Sequence, residues 1–191
     1  MGVERPSKDE VRRLTNIFKR LDIEEEEFPN KHFFIGILDR FNYCLSETEA
    51  SELLSSFEYD MLFEESYLSF FNKIYSLNNY QTFIFCPYLK SLSENEIKVI
   101  RENFKRDDLL LFEKLLSLET DLYEVRNVSY LRLFVKLSTR SLCFSNFFFP
   151  ITESLIIGNY DLAFPVYSRK ENTLYSYEKV ANDYGLYIRR S

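Results

Sequence analysis

Apolar residues return every three or four positions along much of this chain, and the first such stripe is the cleanest. Val11, Leu14, Phe18 and Leu21 share one face of a helical wheel, while Arg12, Arg13, Lys19 and Arg20 fall largely off it. That is the pattern of an amphipathic helix with one buried side. A second stripe, Ala50, Leu53, Leu54, Phe57 and Met61, and a third, Ile97, Ile100 and Phe104, keep the same spacing. Each of the three is preceded by a serine with a glutamate three residues on: Ser7 with Glu10, Ser46 with Glu49, and Ser93 with Glu96. The serine hydroxyl accepts from the third helical amide and the glutamate accepts from the serine amide, so two otherwise orphaned donors are satisfied at each helix start. Residues 30–44, 64–77, 108–118 and 129–138 carry less regular patterns that also read as helices.

The texture changes after Ser141. Leu142, Phe144 and the run Phe147, Phe148, Phe149, then Leu155, Ile156, Ile157, form short apolar runs bounded by Asn146, Pro150, Gly158 and Asn159. Such runs between turn formers read as strands. Residues 162–167 contain Pro165, which lacks the amide a central ladder needs, so this strand is expected at an edge or irregular. Residues 83–85, closed by Cys86-Pro87, read as either a brief strand or an extended connector. Leu174, Tyr177, Ala181 and Tyr184 give a last helix, closed by Gly185 in a position suited to a left-handed cap and followed by a final strand at 186–188. The pattern thus predicts an α+β fold that is predominantly helical. An N-terminal helical part, about residues 1–138, packs with a small C-terminal α+β part, about 139–191, whose mixed or antiparallel sheet carries one helix, all within a single globular domain.

Composition changes this picture in two ways. With 46% hydrophobic residues a continuous core can form, and 19 Phe and 14 Tyr without any Trp mean that flat rings fill much of it and that some reach the surface. No apolar run approaches the roughly 20 residues of a membrane helix, and the first residues lack the apolar region of a secretory signal, so a cytoplasmic location without membrane contact is expected. Cys44, Cys86 and Cys143 are odd in number and far apart, which speaks for buried free thiols in a reducing compartment and against a disulfide framework.

Candidate chemistry is sparse. His32 is the only histidine and lies beside Phe33 and Phe34, the setting of a structural side chain and not of a catalytic base with partners. No Cys or His pair has zinc-ligand spacing, and Gly2, Gly36, Gly158 and Gly185 are isolated, so no metal site and no phosphate-cradling loop is expected, and no cofactor. Nucleic acid is disfavoured as a partner by 24 Lys and Arg against 30 Asp and Glu. The negative charge is unevenly placed: residues 1–90 hold 16 acids and 10 bases, residues 91–191 hold 14 of each. Between Arg40 and Lys73 there is no base at all, while Glu47, Glu49, Glu52, Glu58, Asp60, Glu64 and Glu65 accumulate among Phe57, Tyr59, Phe63 and Tyr67. A second acidic run, Glu24 to Glu27, lies upstream.

Part of that charge caps a helix. Acids interleaved with aromatic anchors are also the make-up of a protein interface, so Glu58, Tyr59, Asp60, Phe63, Glu64 and Tyr67 are the candidate contacts for a basic protein partner. The expected function is a non-enzymatic protein-binding module, an acidic inhibitor or immunity-type protein that neutralises a basic toxin or enzyme. The alternative is an enzyme whose carboxylate and tyrosine site the sequence does not reveal.

Overall fold

The computed structural model describes residues 2–21, 33–53 and 57–190, with the side chains of residues 51–60 left undescribed. His32 and the run Glu24 to Glu27 lie outside the described residues. The described residues form seven α-helices and eight strands, in the order β1 Val3–Glu4, α1 Lys8–Phe18, β2 Phe34–Asp39, α2 Glu47–Leu53, α3 Phe57–Leu77, β3 Thr82–Phe85, α4 Glu94–Asn103, α5 Arg106–Ser117, β4 Leu122–Val125, α6 Val128–Thr139, β5 Asn146–Phe149, β6 Ser154–Ile157, β7 Phe164–Ser168, α7 Glu171–Asp183 and β8 Tyr187–Arg190.

All eight strands join one sheet in the order β1-β4-β3-β5-β6-β7-β2-β8, and every pairing is antiparallel. The expectation of a predominantly helical chain with a small C-terminal sheet is therefore wrong. The sheet is large and draws half its strands from before residue 139. The physical reason lies in its two covered faces. One cross-strand row, Phe83–Phe148–Leu155–Tyr167–Ile35, faces α1, and the adjacent row, Ile84–Phe147–Ile156–Val166–Gly36, faces the other helices. With apolar residues wanted on both sides, the alternation that marks a half-buried strand disappears. The segment 30–44, expected to be helical, instead holds β2, whose run Phe34-Ile35-Gly36-Ile37-Leu38 carries no period of either kind. The strand β4 was not foreseen, because four residues, Leu122-Tyr123-Glu124-Val125, all buried, offer no pattern to read.

Pro165 sits not on an edge strand but in β7, between β6 and β2. Its missing amide breaks no ladder with β6, since that pairing ends at Ile156–Val166 while β7 continues along β2 alone through Ile37–Pro165.

The helix starts expected at the capping boxes hold, whereas Leu21 lies beyond α1 and Phe57 and Met61 belong to α3 and not to the helix that Ser46 starts. Ser7 and Ser93 form reciprocal caps with Glu10 and Glu96, and Ser46 with Glu49 does the same. The end of α7 is a Schellman closure: the Leu186 amide donates to Ala181 and the Gly185 amide to Asn182, with Gly185 at φ 71°. The thick layer on one face consists of α3 and α6 packed side by side with α7, α4 and α5. Helix α3 buries Tyr67, Leu68, Phe70, Phe71, Ile74 and Tyr75, and the Phe71 ring meets those of Phe70, Phe147, Phe149 and Phe164. The opposite face is covered among the described residues by α1, through Leu14 and Phe18, the latter edge-on to Phe148 at 5.0 Å between ring centroids.

Candidate functional site

Antiparallel neighbours bring three connections to one end of the sheet. Phe85 pairs with Asn146 and Asn146 with Ile157, so this row closes β3, opens β5 and closes β6. Beyond it lie the 3₁₀ turn Pro87–Lys90, the loop 140–145 from α6 into β5, and the 3₁₀ turn Tyr160–Leu162. The Gly158 amide donates to the Ser145 carbonyl at 2.8 Å, which clamps the last two together. No side chain fits at 158, where a Cβ would stand 2.7 Å from Ser138 Oγ and 3.2 Å from the Ser145 nitrogen.

These connections and the start of α4 enclose a cleft of about 410 Å³, lined by Tyr88, Leu92, Glu96, Ser141, Cys143 and Tyr160 among others. Tyr88 and Tyr160 stand at its rim, 62% and 64% exposed. The Tyr160 ring is held edge-on against Phe144 at 4.5 Å between centroids. Three non-glycine residues in the two loops, Ser141, Asp161 and Leu162, have φ between 53° and 58°. Left-handed backbone at such residues costs energy and persists where surrounding contacts enforce it, which is a common property of binding loops.

The enforcing contacts come from residues nominated on the sequence as a docking surface. Tyr67 is fully buried and its hydroxyl donates to the Leu162 carbonyl. Glu64, only 6% exposed, receives Arg140 Nε at 2.6 Å and Nη2 at 2.8 Å, and Arg140 Nη1 donates to the Asn103 carbonyl at 2.7 Å. Arg140 directly precedes Ser141 and also stacks over Phe104 at 4.4 Å. Glu64 and Tyr67 are thus tied to the cleft wall from behind, and Phe63 packs partly buried against the core. Side chains of Glu58, Tyr59 and Asp60 lie outside the described residues. Exposed members of the stretch among the described residues include Tyr43, Ser46, Glu47, Thr48, Met61, Leu62 and Glu65, the last 3.3 Å from Arg132.

Sequence reasoning missed Tyr88, but a signal was there: Pro87-Tyr88 and Asn159-Tyr160-Asp161 place a bulky ring inside turn-forming residues, where it has no core to enter. Glu96 is engaged in its helix cap, and the hydrogen bonds from Ser93 hold its carboxyl below the ordinary range. Cys44 is exposed, whereas Cys86 and Cys143 are buried. Far apart in the chain, these two stand with sulfurs 3.2 Å apart at the inner end of the cleft. A second, more open hollow of about 460 Å³ lies beside β8, lined by Asn42, Glu178, Asn182, Tyr187, Ile188 and Arg189.

Among the described residues no group of three or more His, Cys, Asp or Glu is placed to hold a metal ion, and no helix is long and apolar enough to cross a membrane. No protein-family model, curated protein or solved structure matches the chain.

Proposed function

We propose that this protein is a non-enzymatic protein-binding module, an inhibitor or immunity-type protein that neutralises a basic toxin or enzyme. The observation that carries the reading is the cleft between Tyr88 and Tyr160. Two exposed tyrosines flank an opening with Leu92, Leu142 and Phe144 in its walls, on a backbone held in place by buried contacts. Tyrosines around a desolvatable pocket are characteristic hot-spot residues, because a large rigid surface is buried at little entropic cost. The same tertiary contacts link the cleft to the acidic stretch, through Tyr67 to Leu162 and through Glu64 to Arg140. In this reading the anchors lie in the cleft, and Glu58 and Asp60 with Glu65 supply the complementary charge that steers a basic partner, beside the ring of Tyr59.

The test is a partner captured with the full chain from the native cell, followed by binding kinetics on variants. Tyr88→Ala and Tyr160→Ala should each speed dissociation about ten-fold or more. Glu58→Lys with Asp60→Lys should slow association and flatten its salt dependence, with dissociation little changed. Unchanged dissociation in both tyrosine variants would remove the cleft from the interface. Kinetics unaffected by all four substitutions would place the interface outside both the cleft and the acidic stretch, and a chain that captures no partner would end the binding reading.

A further inference from the structure

The inner end of the cleft holds chemistry that a binding module does not need. Cys86 leaves β3 immediately before the turn bearing Tyr88, and Cys143 lies in the loop into β5, so the pair faces across the junction of two cleft walls. Their sulfurs are 3.2 Å apart, about an ångström more than a bonded pair. Only Cys143 lines the cleft, while Cys86 is fully buried behind it. Two buried hydroxyls, Ser145 Oγ and Tyr123 Oη, have no hydrogen-bond partner of ordinary geometry among the described residues; Ser145 lies close enough to Cys86 to favour its thiolate, and burial together with the nearby thiols pushes the Tyr123 hydroxyl up. Unpartnered buried hydroxyls are rare in folded chains, and here they border a group that carries negative charge whenever it reacts.

We propose that Cys86 and Cys143 form a reversible dithiol–disulfide site, reached from the cleft at Cys143 by a small hydroperoxide. The hydrogen bond between the two sulfurs favours the thiolate at Cys86, against the effect of burial, and disfavours it at Cys143. Loss of one proton from the pair, later taken up by the leaving hydroxide, and transfer of the other to Cys86 gives the thiolate on Cys143, the less favoured of the two forms and the one a peroxide in the cleft can reach. Cys143 sulfur attacks the peroxide, the O–O bond breaks, and Cys143 becomes a sulfenic acid with release of water, or of an alcohol from an organic peroxide. Cys86 sulfur then displaces the hydroxyl, a second water leaves, and the S–S bond forms. In total two thiols are oxidised by two electrons and one peroxide is reduced; a dithiol reductant reverses the change by exchange. The bond would tie the Tyr88 turn to the 140–145 loop and so couple cleft geometry to redox state.

The experiment uses the full folded chain carrying Cys44→Ser, so that the exposed thiol does not contribute, with hydrogen peroxide as the probe. The expected result is loss of two thiols per peroxide consumed, a mass lower by two hydrogens, and joining of the Cys86 and Cys143 peptides under non-reducing digestion, all reversed by dithiothreitol. Adding Cys86→Ser should leave Cys143 as a sulfenic acid trapped by dimedone, while adding Cys143→Ser should leave Cys86 reduced over the same exposure. Circular dichroism of each variant confirms that it is folded. Retention of both thiols in folded Cys44→Ser protein, independent oxidation without a cross-link, or a cross-link that forms only after unfolding in urea would each overturn the proposal.

Discussion

The two faces of the sheet solve the same burial problem by different means. On the thick face, α3, α6 and α7 form a layer in which Phe70, Phe71, Tyr67, Tyr177 and Phe164 touch ring to ring. On the other, the single 11-residue helix α1 lays Leu14 and Phe18 across the row Phe83–Phe148–Leu155–Tyr167. On the thick face the buried Glu64 is met by the guanidinium of Arg140, and the buried Arg40 stands over the Phe63 ring. The thin face holds Glu124, 3% exposed and close to Glu10, with Arg126 and Gln81 as hydrogen-bond donors. The difference teaches where cooperativity resides. A layer of interlocked rings has no part that can leave alone, whereas a single amphipathic helix has contacts only through one stripe and can detach as a local unit.

The sharpest way to break this contrast is Phe71→Ala. Four neighbouring rings lose their common partner, and the interior cannot collapse onto the gap without moving the sheet, so a loss of about 3–5 kcal/mol is expected in urea unfolding. The transition should remain single, because the whole layer fails together. A cost below about 1 kcal/mol would mean that this layer is not the centre of the fold.

Leu14→Ala should cost less, about 2–3 kcal/mol, because α1 can settle toward the sheet. Native-state hydrogen exchange should show protection falling first in α1, at residues 8–18, with the amides of α3 and α6 shielded at the global level. Equal loss of protection in α3 and α6 would show that the two faces unfold as one.

The smallest effect sharpens the electrostatic side of the comparison. Desolvation, and next to it the proximity of Glu10, raise the Glu124 carboxyl above its ordinary value of 4.5, although Gln81 and Arg126 oppose this. An acid raised in the folded state binds its proton more tightly there than in the unfolded chain. Its contribution is therefore present below pH 4.5 and is lost as pH rises through the folded-state pKa. Glu10 runs the other way, since the hydrogen bonds from Ser7 lower it despite desolvation, and its contribution is lost as pH falls. Glu124→Gln removes the first of these while the hydrogen bonds from Ser7 to Glu10 remain. The stability difference between variant and wild type should shift in the variant's favour between pH 4.5 and neutrality, as read from urea midpoints. A difference that does not change with pH would show that Glu124 titrates alike in the folded and unfolded chain.

The same contrast between faces governs what could be read from the residues. Helix α1 touches the protein along one stripe and water along the rest, so its period stands out, and its ends are marked by Ser7 and Glu10. Helix α7 was equally legible, down to the left-handed Gly185. Strand β2 lost its alternation because it is covered on both sides, and β4 was too short to have one. For the candidate site, Glu64 and Tyr67, expected among the contacts of a partner surface, are buried. Helical position alone does not say that Glu64 meets an arginine 76 residues away or that Tyr67 reaches a carbonyl 95 residues away.

Local chemistry by itself determined the caps, the turns and the unequal charge, since each depends on residues within about one helical turn of one another. The order β1-β4-β3-β5-β6-β7-β2-β8, the gathering of three connections into a cleft, and the meeting of Cys86 with Cys143 across 57 residues belong to the tertiary structure alone. Strand neighbours in such a sheet are chosen by how two covered faces pack at once, and that choice is a property of the whole core, with no trace in any short window of sequence.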